Sequence, residues 1–142
     1  MKRIVHEIMF ILLLIGMLAP AFNVQSTIAW TNGTIYIRPY GNVDPPYAPI
    51  TRNGSVYTLT DNITIIHPAA NGIVIEKSNV VLDGAGYTLQ GTGVEKGIDL
   101  QWGIVNVTIR NIQIKAFDYG IYYGFGLNYD SNYFSVVGNY IT

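Results

Sequence analysis

Three short runs decide the fold: Asn79-Val80-Val81-Leu82, Asn106-Val107-Thr108-Ile109 and Tyr133-Phe134-Ser135-Val136, set 27 residues apart. A second set keeps step with them. Gly72-Ile73-Val74-Ile75, Gly97-Ile98-Asp99-Leu100 and Gly120-Ile121-Tyr122-Tyr123 recur at intervals of 25 and 23. Two unlike runs that recur together are harder to obtain by chance than one. A period in the twenties marks a solenoid, in which each coil buries its apolar face only by stacking on the next.

The runs alternate. Val107 and Ile109 read inward and Thr108 outward; Ile112 and Ile114 read inward and Gln113 outward. That is the period of a strand. Val, Ile, Thr and Tyr fill the runs, with Gly or Asn as punctuation. A leucine-rich repeat would need clustered Leu at fixed offsets, and the chain after the signal segment has very few Leu. An antiparallel sandwich with evenly spaced strands is the other reading, and the doubled period favours the solenoid. The predicted fold is therefore all-β: a right-handed parallel β-helix of about three coils, its hand following the general rule for parallel crossovers. The predicted core is Ile73, Ile75, Val80, Leu82, Ile98, Leu100, Val107, Ile109, Ile112, Ile114, Ile121 and Val136.

Four phrases resemble the repeats of NosD-like proteins, a family with the pectin-lyase-like fold. They are Asn79 to Leu89 (NVVLDGAGYTL), Gly97-Ile98-Asp99-Leu100, Asn106 to Asn111 (NVTIRN) and Val137 to Thr142 (VGNYIT). Asp44 to Ile50 and Tyr57 to Ile63 resemble the lead-in segment of secreted members. The resemblance implies fold more than activity, because the same coil carries lyases, hydrolases, adhesins and accessory proteins. In the family the final phrase is usually followed by further coils, so residues 72–142 read as repeats truncated at the C-terminal end.

Composition narrows the function. Charged residues are 12 % and hydrophobic residues 49 % of the chain, with a formal net charge of −1 and no cysteine. Without Lys2, Arg3 and Glu7, six basic and eight acidic residues remain of eight and nine. No basic patch is present, which argues against a nucleic-acid partner. Zero cysteine says nothing of compartment, since a solenoid closes its own hydrogen bonds.

Met1 to Glu7 is charged, Ile8 to Leu18 is an apolar run of eleven, and Ala19-Pro20-Ala21 and Val24-Gln25-Ser26 offer small residues for cleavage. That is the three-part plan of a secretory signal over 1–29, and it places the mature chain outside the cytoplasmic membrane, secreted or at the cell surface. Cleavage after Ser26 and after Ala29 both satisfy the small-residue rule. The run is shorter than the roughly 20 residues a spanning helix needs. An uncleaved anchor is the alternative, and then the membrane is met only through this segment. Residues 30–71 read as an N-terminal cap and irregular first coil. Thr34 to Arg38 is a first strand, Asp44-Pro45-Pro46-Tyr47-Ala48-Pro49 a proline-stiffened strap over the solenoid's end, and Asn53-Gly54 a tight turn. At the corner Asp83-Gly84-Ala85-Gly86, glycine is expected to supply a positive φ and Asp83 to bond turn amides.

Three chemistries can be weighed. Copper comes first, because NosD-like proteins are tied to copper-site maturation; that role would need Cys, Met or His ligands. Cys is absent, Met1, Met9 and Met17 fall in the signal segment, and His67 stands alone outside it. No metal site and no cofactor are therefore expected. A polysaccharide lyase or glycoside hydrolase would need paired carboxylates, or an acid beside a base, in one groove. Asp99, Asp118 and Arg110 form the best such set, with solvated surface charge as the plain alternative. Glycan binding without catalysis would use aromatic faces and amides. Trp102, Tyr119, Tyr122 and Tyr123 are its candidates, and core filling is the competing reading. Four sequons, at Asn32, Asn53, Asn62 and Asn106, are glycan acceptors in an exported protein, with Asn106 expected in an asparagine ladder. The favoured function is a non-catalytic module that meets polysaccharide or envelope components. An enzyme is the first alternative and a copper accessory protein the second.

Overall fold

The computed structural model describes residues 30–124 and 133–142, with side chains from Gly33 onward. The predicted signal segment lies outside the described residues. Every described element is a strand. The first regular coil holds β7 (Ile73–Ile75), β8 (Val80–Asp83) and β9 (Thr88–Gln90). The second holds β10 (Lys96–Leu100), β11 (Val107–Arg110) and β12 (Gln113–Lys115); the third holds β13 (Tyr119–Tyr123), β14 (Phe134–Val137) and β15 (Tyr140–Ile141). Each strand pairs in parallel with its counterpart one coil away, so the chain is a parallel β-solenoid of about three turns with three sheets as its faces.

The 27-residue line is a physical column: Val107 is paired with Val80 on one side and Phe134 on the other. The glycine line is a second, with Ile98 between Ile73 and Ile121. Alternation puts these residues inside, where Ile73, Ile75, Leu82, Ile98 and Ile114 have no exposed surface. Burying each such side chain stabilises the fold by about 1.5–3 kcal/mol.

The segment 30–71 joins this stack more regularly than expected. It contributes β1 (Trp30–Asn32), β2 (Ile35–Ile37), β5 (Val56–Leu59) and β6 (Ile63–Ile65). Ile35 is in register with Ile73, Tyr57 with Leu82 and Ile63 with Leu89. Between β2 and β5 the chain leaves the coil to form β3 (Val43–Asp44) and β4 (Ile50–Asn53). These two run antiparallel on the outer edges of β2 and β5. Ala48 and Ile50 are buried in the same core cluster as Ile35 and Ile37, and the Tyr57 hydroxyl donates to the Gly41 carbonyl at 2.8 Å. The stretch thus contributes buried side chains at this end of the solenoid, where Ile35, Ile37 and Tyr57 are fully buried.

The opposite rung differs. Val136 is in register with Ile109, yet it is 54 % exposed where Ile109 is 1 %. Ile121 is only partly buried. The inward expectation for Val136 is corrected on these grounds: its direction follows the column, but no further rung among the described residues covers it.

Glycine serves the stack by absence of a side chain. A Cβ on Gly72 would meet the Gly97 carbonyl at 2.3 Å, and one on Gly97 the Gly120 carbonyl at 2.6 Å. At the Asp83–Gly86 corner the positive φ falls on Ala85 and Gly86. Gly84 is required for a different reason: a Cβ there would sit 2.4 Å from Ile112 Cβ.

Candidate functional site

The face built by β2, β7, β10 and β13 carries a cluster of polar and aromatic side chains. Its outward column is Tyr36, Val74, Asp99 and Tyr122. Beside it runs a column at the positions just before the glycines: Asn71, Lys96 and Tyr119. The Lys96 amide donates to Asn71 Oδ1 at 3.1 Å, and Lys96 is in register with Tyr119.

Asp99 points outward, as alternation predicts, but it is not solvated: only 5 % of the residue is exposed. Its Oδ2 accepts from Lys96 Nζ at 3.1 Å, Gln101 Nε2 at 3.3 Å and Asn71 Nδ2 at 3.4 Å. A buried carboxylate requires such donors, because an unpaired charge there would cost several kcal/mol. The Lys96 ammonium also lies 4.0 Å from the centroid of the Tyr122 ring. Tyr119 meets Tyr122 edge-on at 5.5 Å and is 53 % exposed. A cleft of about 410 Å³ opens beside them, lined by Gly93, Val94, Glu95, Lys96, Asp118 and Tyr119.

The other sequence-predicted residues are placed as follows. Asp118 lies in the exposed turn before β13, on the cleft wall. Arg110 belongs to a different face, the one with β8 and β14, and its Nε donates to Asp83 Oδ2 at 2.8 Å. Asp99 and Arg110 are thus each engaged with another partner, on different faces. Trp102 is 68 % exposed in the turn after β10. Tyr123 turns inward, in register with Leu100, and its ring packs 4.5 Å from Phe134. It is partly buried and packs against the core, not on the outer face with Tyr122. His67 is exposed, and its Nδ1 accepts from the Ala69 amide. Among the described residues no three His, Cys, Asp or Glu side chains gather as a metal site.

Asp83 anchors the corner above Arg110. Burial alone would raise its pKa. The Ala85 amide, the Asn111 side chain and the Arg110 guanidinium outweigh burial and hold the carboxyl below its ordinary value. Tyr57, at the closed end, is raised by burial, with nearby Arg52 opposing.

Sequence reasoning missed Asn71, Lys96 and Gln101. A signal for the first two existed: each directly precedes a glycine of the repeat, as Tyr119 does. What the fold and face define is a parallel β-solenoid with an aromatic outer face on which Lys96 and Asp99 form an ion pair. Comparison with protein-family models, with curated proteins and with solved structures returns no match.

Proposed function

We propose that the chain is a NosD-like β-helix module, secreted or held at the cell surface, that binds polysaccharide or envelope glycans without cleaving them. The observation that carries the reading is the Tyr119–Tyr122 pair beside the cleft. It offers an aromatic platform beside the Lys96–Asp99 ion pair, with Glu95 and Asp118 on the cleft wall. Aromatic surface flanked by amides suits sugar rings and their hydroxyls. The four repeat phrases support the NosD-like assignment, and the charged, apolar and small-residue plan of 1–29 supports export. The lyase or hydrolase reading has less support, since Asp99 and Arg110 occupy different faces.

A glycan array probed with the chain tests the reading. Retention on one polysaccharide class is expected, with Tyr119→Ala and Tyr122→Ala each weakening it by about tenfold, equivalent to about 1.4 kcal/mol. No retention on any glycan would defeat the binding role. Depolymerisation that disappears in Asp99→Ala would establish the enzyme reading in its place.

A further inference from the structure

We infer that the glycan taken by the cleft beside Tyr119 is cationic, an oligosaccharide of amino sugars with free amines, and that acidic sugars are disfavoured there. The inference rests on the glycan-binding reading above and names the substrate class of that same site. Among the described residues that line the cleft, three are charged: Glu95, Lys96 and Asp118. Lys96 is already committed. Its ammonium lies 3.1 Å from Asp99 Oδ2 and 4.0 Å from the centroid of the Tyr122 ring. Glu95 and Asp118 are exposed, and neither carboxylate has an ion-pair or hydrogen-bond partner among the described residues. The charge left for a ligand is therefore negative.

The backbone keeps both acids at one cleft. Glu95 has φ 61°, and its carbonyl accepts the amides of Asp118 and Tyr119 at 3.0 and 3.2 Å. The turn before β10 is thus bonded directly to the turn before β13, with Tyr119 next to Asp118. Tyr119 favours the same sign of charge. It meets Tyr122 edge-on and is 53 % exposed, and the face of an aromatic ring attracts a cation. A sugar ammonium here would meet two free carboxylates and an aromatic surface. A uronate carboxylate would meet like charge, which costs affinity.

Two probes with one backbone isolate the charge: a glucosamine oligosaccharide, and the same oligosaccharide fully N-acetylated and so neutral. An oligogalacturonate is the acidic probe. Affinities for the full chain are measured by isothermal titration at low salt, with a chelator present, at a pH where the sugar amine is protonated. One exposed pair of opposite charges changes affinity by up to about fivefold. Two should therefore favour the amine over its N-acetyl form by about tenfold, with the oligogalacturonate weakest. Glu95→Gln and Asp118→Asn should each cut that ratio about threefold, and added salt should shrink it. Both positions are exposed, and circular dichroism verifies that the variants fold. Asp61→Asn makes the same change of charge in the turn before β6, outside the cleft, and should leave the ratio as it is. A ratio near one, tighter binding of the oligogalacturonate, or an equal loss from Asp61→Asn would overturn the inference. In those cases a loss on Tyr119→Ala still marks glycan binding at the cleft, so the two readings fail separately. If no probe and no array glycan binds, the binding role is defeated and the inference with it.

Discussion

Replacing Gly84 by alanine separates two reasons for a corner glycine. Gly84 lies outside the left-handed region, so an alanine there suffers no backbone strain. What it lacks is space. The new methyl would lie 2.4 Å from Ile112 Cβ, 2.5 Å from Ile112 Cα and 2.5 Å from the Asn111 carbonyl, where ordinary contact begins near 3.4 Å. These atoms are backbone or fixed to it, so the next coil must move by about 1 Å, roughly a fifth of the ~4.8 Å between paired strands. Overpacking of that kind costs about 1–3 kcal/mol, and the rigid neighbours place Gly84→Ala near 3. Gly86 is the control. It has φ +86° and nothing within 4 Å of an added Cβ, so Gly86→Ala meets only conformational strain. That costs about 1–2 kcal/mol. With a urea slope near 2 kcal/mol/M, the midpoint should fall by about 1.5 M for Gly84→Ala and by about 0.5–1 M for Gly86→Ala. Equal losses, or a Gly84→Ala midpoint within about 0.25 M of the parent, would refute the steric argument.

Lys96→Met should cost about 2 kcal/mol, between the values for exposed and buried pairs, because Asp99 stays buried without its cation. Adding Asp99→Asn should recover part of that loss, and a denaturation cycle that comes out additive would show that the two do not interact. Stability should fall on acidification through Asp83. Its folded pKa is held down, so its contribution is complete above the unfolded value of about 4 and is lost as pH drops through the folded one. Asp83→Asn should flatten that acid limb in pH-dependent urea titrations. Tyr57 works in the opposite direction. Its folded pKa is raised by burial, so its contribution is complete below about 10 and is lost as pH climbs through the folded value; Tyr57→Phe should remove this alkaline limb.

The columns of the solenoid were legible because register follows period. Val80 and Val107 stack where their 27-residue spacing says they should. The first coil was harder to read. Ile35 lies 38 residues before Ile73, its partner, because the excursion through β3 and β4 breaks the interval. The burial of Asp99 was not legible either. Alternation gives a side chain's direction, but its cover comes from Asn71, which reaches it from the preceding coil, and from Lys96 at the start of its own strand. At Gly84 the residue type was read correctly and its cause was not, since close approach between coils leaves no mark distinct from a turn. Tyr123 was within reach of the alternation rule, which sends it inward beside Ile121.

The antiparallel closure by β3 and β4 gives the molecule a direction in time. Ribosomes release the N-terminal part first. Once residues through Ile65 have emerged, all the strands from β2 to β6 are present, with Ala48 and Ile50 available to share a core with Ile35 and Ile37. Each later coil then finds a finished sheet edge waiting and settles on it within some 25 residues of further synthesis, as the spacing of the glycine line requires. No strand from β7 onward has to wait for a partner still inside the ribosome, so the growing chain can lay itself down one course at a time, as bricks are laid on a footing.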